Sequence, residues 1–168
     1  MGSTLTVDNI VGATTAANVK FPAGSIVQAV QYHRAGSLGS IGSLVALSSA
    51  TFVDVMSKAI TTKFANSQIY VGMSIVAYDG TAATRAMTRV YRDSTIIESD
   101  KYAIYCPTST MQQYQIFLLD SPSASAGATV TYKLQAARQT GSSSGLSIGY
   151  GDSGGGSSAS IILMEVVQ

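Results

Sequence analysis

The stretch Gln68-Ile69-Tyr70-Val71-Gly72-Met73-Ser74-Ile75-Val76-Ala77-Tyr78 decides the fold class. Ile69, Val71, Met73, Ile75 and Ala77 recur at every second position, and Tyr70, Ser74 and Tyr78 occupy the alternate ones. Successive side chains of an extended chain point to opposite sides, so a period of two buries one face and leaves the other outward. Asp79-Gly80 then supplies turn chemistry.

Further strands are expected on both sides of this one. Upstream lie Ser25–His33 and a less regular strand over Thr51–Ile60, separated by the Gly/Ser-rich Arg34–Ser43. Downstream, Thr84–Arg92 sets Arg85, Met87, Arg89 and Tyr91 against Ala86, Thr88 and Val90. Lys101–Cys106 is short and stops at Pro107. Gln113–Asp120 is apolar and bounded by Ser121-Pro122-Ser123. Thr129–Arg138 puts Val130, Tyr132, Leu134 and Ala136 on one face and Thr131, Lys133 and Gln135 on the other. Gly141–Ser158 reads as a long loop around Leu146, Ile148 and Tyr150, and Ser160–Val167 as the last strand. About eight strands with turn signals at this spacing predict an all-β, antiparallel sandwich. No segment sustains a helical period, and no strand–helix alternation points to a parallel-sheet enzyme.

Residues 1–24 are small and polar, with Leu5, Val7, Ile10, Val11, Val19 and Phe21 scattered among them. They read as an N-terminal arm that gains order from a partner, a possible anchor. The β domain is expected over residues 25–168.

Composition excludes several function classes. The 168 residues suit one core, with 46% apolar and only 11% charged residues and a net charge of +1. Without a Lys/Arg run there is no electrostatic footprint for nucleic acid. No apolar stretch reaches the length of a membrane helix, and Met1-Gly2-Ser3-Thr4-Leu5 does not open a signal peptide. The single Cys106 and single His33 exclude an internal disulfide and any multi-Cys or multi-His metal site. No cofactor is expected. Asp93, Glu98 and Asp100 lack the register of a calcium loop and read as a solvated turn. Arg85, Arg89 and Arg92 fit interfacial ion pairs or surface contacts better than nucleic acid, because Arg92 belongs to the opposite strand face.

One motif imitates an active site. Gly151-Asp152-Ser153-Gly154-Gly155 repeats the string around the nucleophile of trypsin-like proteases, with His33 and Asp79 as nominal partners. His33 would have to take the Ser153 proton while Asp79 held the imidazole. His33, however, ends an alternating strand, and the motif sits in a Gly/Ser run that produces such strings by composition. A protease of that kind also needs further strands after its nucleophile. The expectation is a turn-rich loop and no enzyme.

The order of several stretches resembles the jelly-roll-like structural proteins of tailed bacteriophages, of the kind found in marine and cyanobacterial phages. The matching stretches are Phe21–Gln31, Ala59–Val71, Thr84–Thr95, Phe117–Pro122, Thr131–Gln135 and Ser160–Val166, with Leu5–Ile10 and Ala16–Lys20 resembling the leader. The resemblance implies a jelly-roll-like virion protein, usually a homotrimer, made in the host cytoplasm and placed on the exterior of the particle. Its main reading is a capsid decoration (cement) protein whose arm lies on the major capsid protein. The alternative is a tail-fibre or receptor-binding tip joined to tail proteins, with Tyr32, Tyr70, Tyr78 and Tyr114 stacking on host surface glycans. A carbohydrate-binding module or hydrolase unrelated to virions is a third class, separable by glycan screening.

Overall fold

A computed structural model describes residues 21–35, 45–81, 83–139, 145–149 and 158–168. These residues form ten strands: β1 (Ile26–Ala35), β2 (Val45–Ala46), β3 (Val53–Thr61), β4 (Gln68–Asp79), β5 (Thr84–Arg92), β6 (Thr95–Cys106), β7 (Thr110–Asp120), β8 (Thr129–Arg138), β9 (Leu146–Ile148) and β10 (Ser158–Val166). No helix occurs among the described residues.

The strands make two sheets, and every pairing is antiparallel. In the larger sheet β4 is central. β7 lies along one side of it; β10 and then β9 share the other, with β1 beyond β10 and β2 beyond β9. The smaller sheet runs β3-β8-β5-β6. Counting only the eight long strands in chain order, the sheets read 1-8-3-6 and 2-7-4-5. That order is the jelly roll, in which two Greek keys wrap one core.

The core forms where the period-two faces meet. Ile69, Val71, Met73, Ile75 and Ala77 of β4 are all at most 2% exposed, and Val130, Tyr132, Leu134 and Ala136 of β8 oppose them. Ile161 and Leu163 of β10, Val90 of β5 and Ile60 of β3 complete the layer. Removing such side chains from water is the main stabilising contribution.

Polar groups tie the two sheets together at their margins. Arg92 of β5 reaches Asp120 of β7 at 2.8 Å, and the Tyr132 hydroxyl donates to the same carboxylate at 2.7 Å. Burial, then this bond to Asp120, pushes the Tyr132 phenol well above its usual range. In the same row of the larger sheet, two strands from Asp120, Glu165 of β10 is fully buried. It accepts from the backbone N–H of Lys63 and Phe64, each at 2.9 Å, and from the Ser67 hydroxyl at 2.8 Å. The Gln28 amide of β1 donates to it as well. The corner between β3 and β4 is thus fastened to the last strand.

Three expectations needed correction. β6 begins at Thr95, not Lys101: Glu98 and Asp100 mask the apolar period, but the backbone still pairs with β5 across a tight turn in which Asp93 has φ 51°. β7 begins at Thr110 rather than Gln113. The expected loop over Gly141–Ser158 contains β9, with Leu146 and Ile148 buried. β9 forms because β10 leaves β4 after Ser74, so the backbone at Ala77–Asp79 needs another partner.

Candidate functional site

The sequence-predicted residues fall into separate places. Leu5, Val7, Ile10, Val11 and Val19 lie outside the described residues. Phe21 packs edge-to-face on Phe64, with ring centroids 5.7 Å apart. Just after it, the Gly24 N–H donates to the Val167 carbonyl at 2.8 Å and the Val167 N–H donates to Ser25 at 3.0 Å. The chain is therefore fastened to the domain from Phe21 onward.

The protease-like geometry is not assembled. His33 is opposite Ser160, and Ser160 is opposite Ser74. Asp79 lies farther along β4, so two strand steps and five residues put the backbones of His33 and Asp79 about 19 Å apart. No hydrogen bond spans that distance. Asp79 is buried and its Oδ1 accepts from the Thr81 N–H at 2.9 Å. Gly151–Gly155, with Ser153, lies outside the described residues.

Cys106 is fully buried. Burial, with the nearby Asp79 charge, pushes its thiol up to about 11. Only the thiolate is nucleophilic, so this cysteine is inert in the folded chain. Iodoacetamide at neutral pH is expected to leave Cys106 unmodified in the native protein and to alkylate it in denaturant. Mass spectrometry reads the difference, and native labelling at the rate of a free thiol would refute the burial.

The charged candidates are engaged locally. Arg89 lies over the Phe52 ring at 3.6 Å and Arg85 over Tyr105 at 5.8 Å, on the outer face of the smaller sheet. Arg92 points between the sheets to Asp120, as its opposite strand face requires. Asp93 Oδ1 accepts from the Thr131 N–H at 2.9 Å. Among the described residues, no cluster of His, Cys, Asp or Glu has the arrangement of a metal site. Of the four tyrosines, Tyr114 packs inward against the core. Tyr70 and Tyr78 lie outward on β4, and Tyr32 lines a cleft of about 360 Å³ with Asp54 and Ser57.

The surface that stands out was not read from the sequence. On the outer face of the larger sheet, the register aligns Ala29, Met164, Tyr70 and Leu119 in one row across four strands. Gln31, Ile162, Gly72 and Phe117 form the next. Ile26 and Val166 flank them. Ile26 is 60% exposed, Phe117 61% and Leu119 55%. Gly72 shapes this surface: the Tyr70 and Phe117 rings stack over it with centroids 6.3 Å apart. A Cβ there would lie 2.9 Å from Ile162 Cγ2. Beside the rings is a shallow groove of about 440 Å³ lined by Gly24, Ile26, Tyr70, Leu119, Met164 and Val166. The following row, His33, Ser160, Ser74 and Gln115, is polar. One end of the face is thus apolar and the other hydrophilic. A contiguous apolar patch on an outer sheet face marks a contact surface.

No family model and no curated protein matches the sequence. Solved structures do share the fold. A structure of infectious bursal disease virus, Gt strain, superposes with a TM-score of 0.50 at 13% identity over 93% of this chain and 36% of the viral one. Particles derived from the same virus give 0.49 and 13%, over 95% and 41%. Latent PorU from Porphyromonas gingivalis gives 0.44 and 9%, over 86% and 14%. The chain therefore spans well under half of each of these proteins. The likeness to the Gt-strain structure is one of fold: a two-sheet β-sandwich also present in a viral particle protein.

Proposed function

We propose that this chain is a structural, non-catalytic subunit of a virus particle, and within that class a capsid decoration protein of a tailed phage. The apolar end of the larger sheet's outer face carries the reading. Its three most exposed apolar side chains are costly to leave in water and useful only when covered. The sandwich fold shared with a viral particle protein and the phage-like order of sequence stretches support the same view. In this reading the domain sits on the particle exterior, contacts the major capsid protein, and uses residues 1–20 as an added anchor. An arm that orders only on binding spends conformational entropy but gains a long contact.

Locating the chain in an image reconstruction of the intact particle tests the assignment. Density over the capsid lattice is expected. Density confined to the tail tip would replace it with the fibre-tip reading, which the outward, ring-stacked Tyr70 and Phe117 favour. Deleting residues 1–20 is expected to abolish capsid binding while leaving the domain's melting transition in place. Undiminished binding by the truncated chain would refute the anchor.

A further inference from the structure

Among the described residues the larger sheet ends in β1, β7 and the two-residue β2, and the smaller in β3 and β6; edge strands invite pairing with other chains unless something blocks them. Of the four long edge strands, three are guarded. β1 is irregular between Ile26 and Gln28 and carries His33. β3 is irregular between Asp54 and Met56 and carries Asp54 and Lys58. The β5–β6 ladder shifts register twice, and β6 holds Glu98. Bulges and charges are the usual means of refusing another strand.

β7 has none of them. It pairs with β4 from Thr110 to Asp120 without a register shift. It contains no proline and no charged residue from Thr110 to Leu119. Its only charge, Asp120, is neutralised by Arg92 at 2.8 Å. Among the described residues no strand pairs with its other side. Its outward side chains include Phe117 and Leu119, the edge of the apolar patch.

We propose that β7 pairs antiparallel with β7 of a second copy of this chain, joining the two larger sheets into one across a two-fold axis. Charge decides the occupant. A strand uncharged along this length meets its own copy with no like charges opposed, and a two-fold contact needs only one self-complementary surface. The pleat restricts the register to pairings whose residue numbers sum to an even value. In all of these, Phe117 and Leu119 of both copies lie on the same outer face, and the two apolar patches become neighbours across the seam. The inference goes beyond the virion reading and does not depend on it. It makes the free chain a dimer, against the homotrimer that the phage resemblance implies.

Sedimentation and light scattering of the full chain test it, together with hydrogen exchange along β7. The expected mass is two copies. Alternate amides within Gln113–Leu119 are expected to exchange more slowly as concentration rises. Gln113→Lys with Gln115→Lys places cations at two exposed positions of the seam, so dimer affinity falls about tenfold or more while the melting transition is kept. A single copy at every concentration, a mass of three copies, or a dimer unchanged by the lysines would overturn the proposal. Concentration-independent exchange in β7 of the unaltered chain would overturn it without any variant.

Discussion

Glu165→Ala is expected to cost about 3 kcal/mol or more of folding stability at neutral pH, because a lost charged acceptor leaves buried donors unsatisfied. The backbone N–H groups of Lys63 and Phe64, the Ser67 hydroxyl and the Gln28 amide all point at this carboxylate. Glu165→Gln keeps the volume but offers one acceptor oxygen and an amide that faces donors, so it recovers only part of the loss. Urea unfolding at neutral pH measures both variants. If Glu165→Ala unfolds at the same urea concentration as the unaltered chain, the carboxylate does not hold the β3–β4 corner.

The same group gives the protein an acid dependence of defined sign. Burial pushes the Glu165 carboxyl up, but the backbone bonds from Lys63 and Phe64 and the side-chain bonds from Ser67 and Gln28 outweigh it. The net position is below the usual 4.5. A carboxyl held lower in the folded chain contributes its stabilisation fully above the unfolded value. That contribution fades as pH falls through the folded value. The stability gap between the unaltered chain and Glu165→Ala is therefore expected to be constant near neutrality and to narrow below pH 4.5. A gap that widens on acidification would reverse the sign.

Leu134→Ala is the second large effect, about 2–5 kcal/mol, the usual span for emptying a buried leucine site. Leu134 is fully buried on β8, with Met56 of β3 and Val90 of β5 on either side. Neither neighbour can collapse into the gap without disturbing a ladder. Each kcal/mol lowers Tm by about 2–4 °C in a domain of this size. Phe117→Ala makes the contrast, because that ring is 61% exposed. In the monomeric chain its loss is expected to change stability by about 0.5 kcal/mol or less. Equal losses at the two positions would contradict the assignment of inside and outside.

The contrast between these residues shows where the sequence was legible. On β4 and β8, polar residues alternate with apolar ones, and that alternation separates the faces correctly. In β7, Ile116, Phe117, Leu118 and Leu119 form an unbroken apolar run. Such a run carries no period, so only the pairing with β4 reveals that Ile116 and Leu118 turn inward and Phe117 and Leu119 outward. The contact surface was invisible for this reason, and also because its rows are assembled from four strands distant in the chain. The fibre-tip alternative needs Tyr114 outward, whereas its parity with Ile116 sends it inward, against the core. Glu165 gave no signal either: one acid in a terminal strand looks like a solvated charge until the corner that binds it is in place. The sheet order came from long-range pairing, which local pattern does not encode. The residues before Phe21 fall outside the described structure.

The place of β10 between β1 and β4 sets an order of events during synthesis. β1 leaves the ribosome long before its partner, since Ile26 pairs with Val166. Until β10 arrives, β1 has no ladder and the interior edge of β4 is open beside the apolar side chains of the core. Pairings this distant in sequence close slowly because the loop entropy must be spent first. The nascent chain therefore passes through an interval in which most of its strands exist and its larger sheet is incomplete. Its yield in a cell then depends on how well that interval is shielded from other chains.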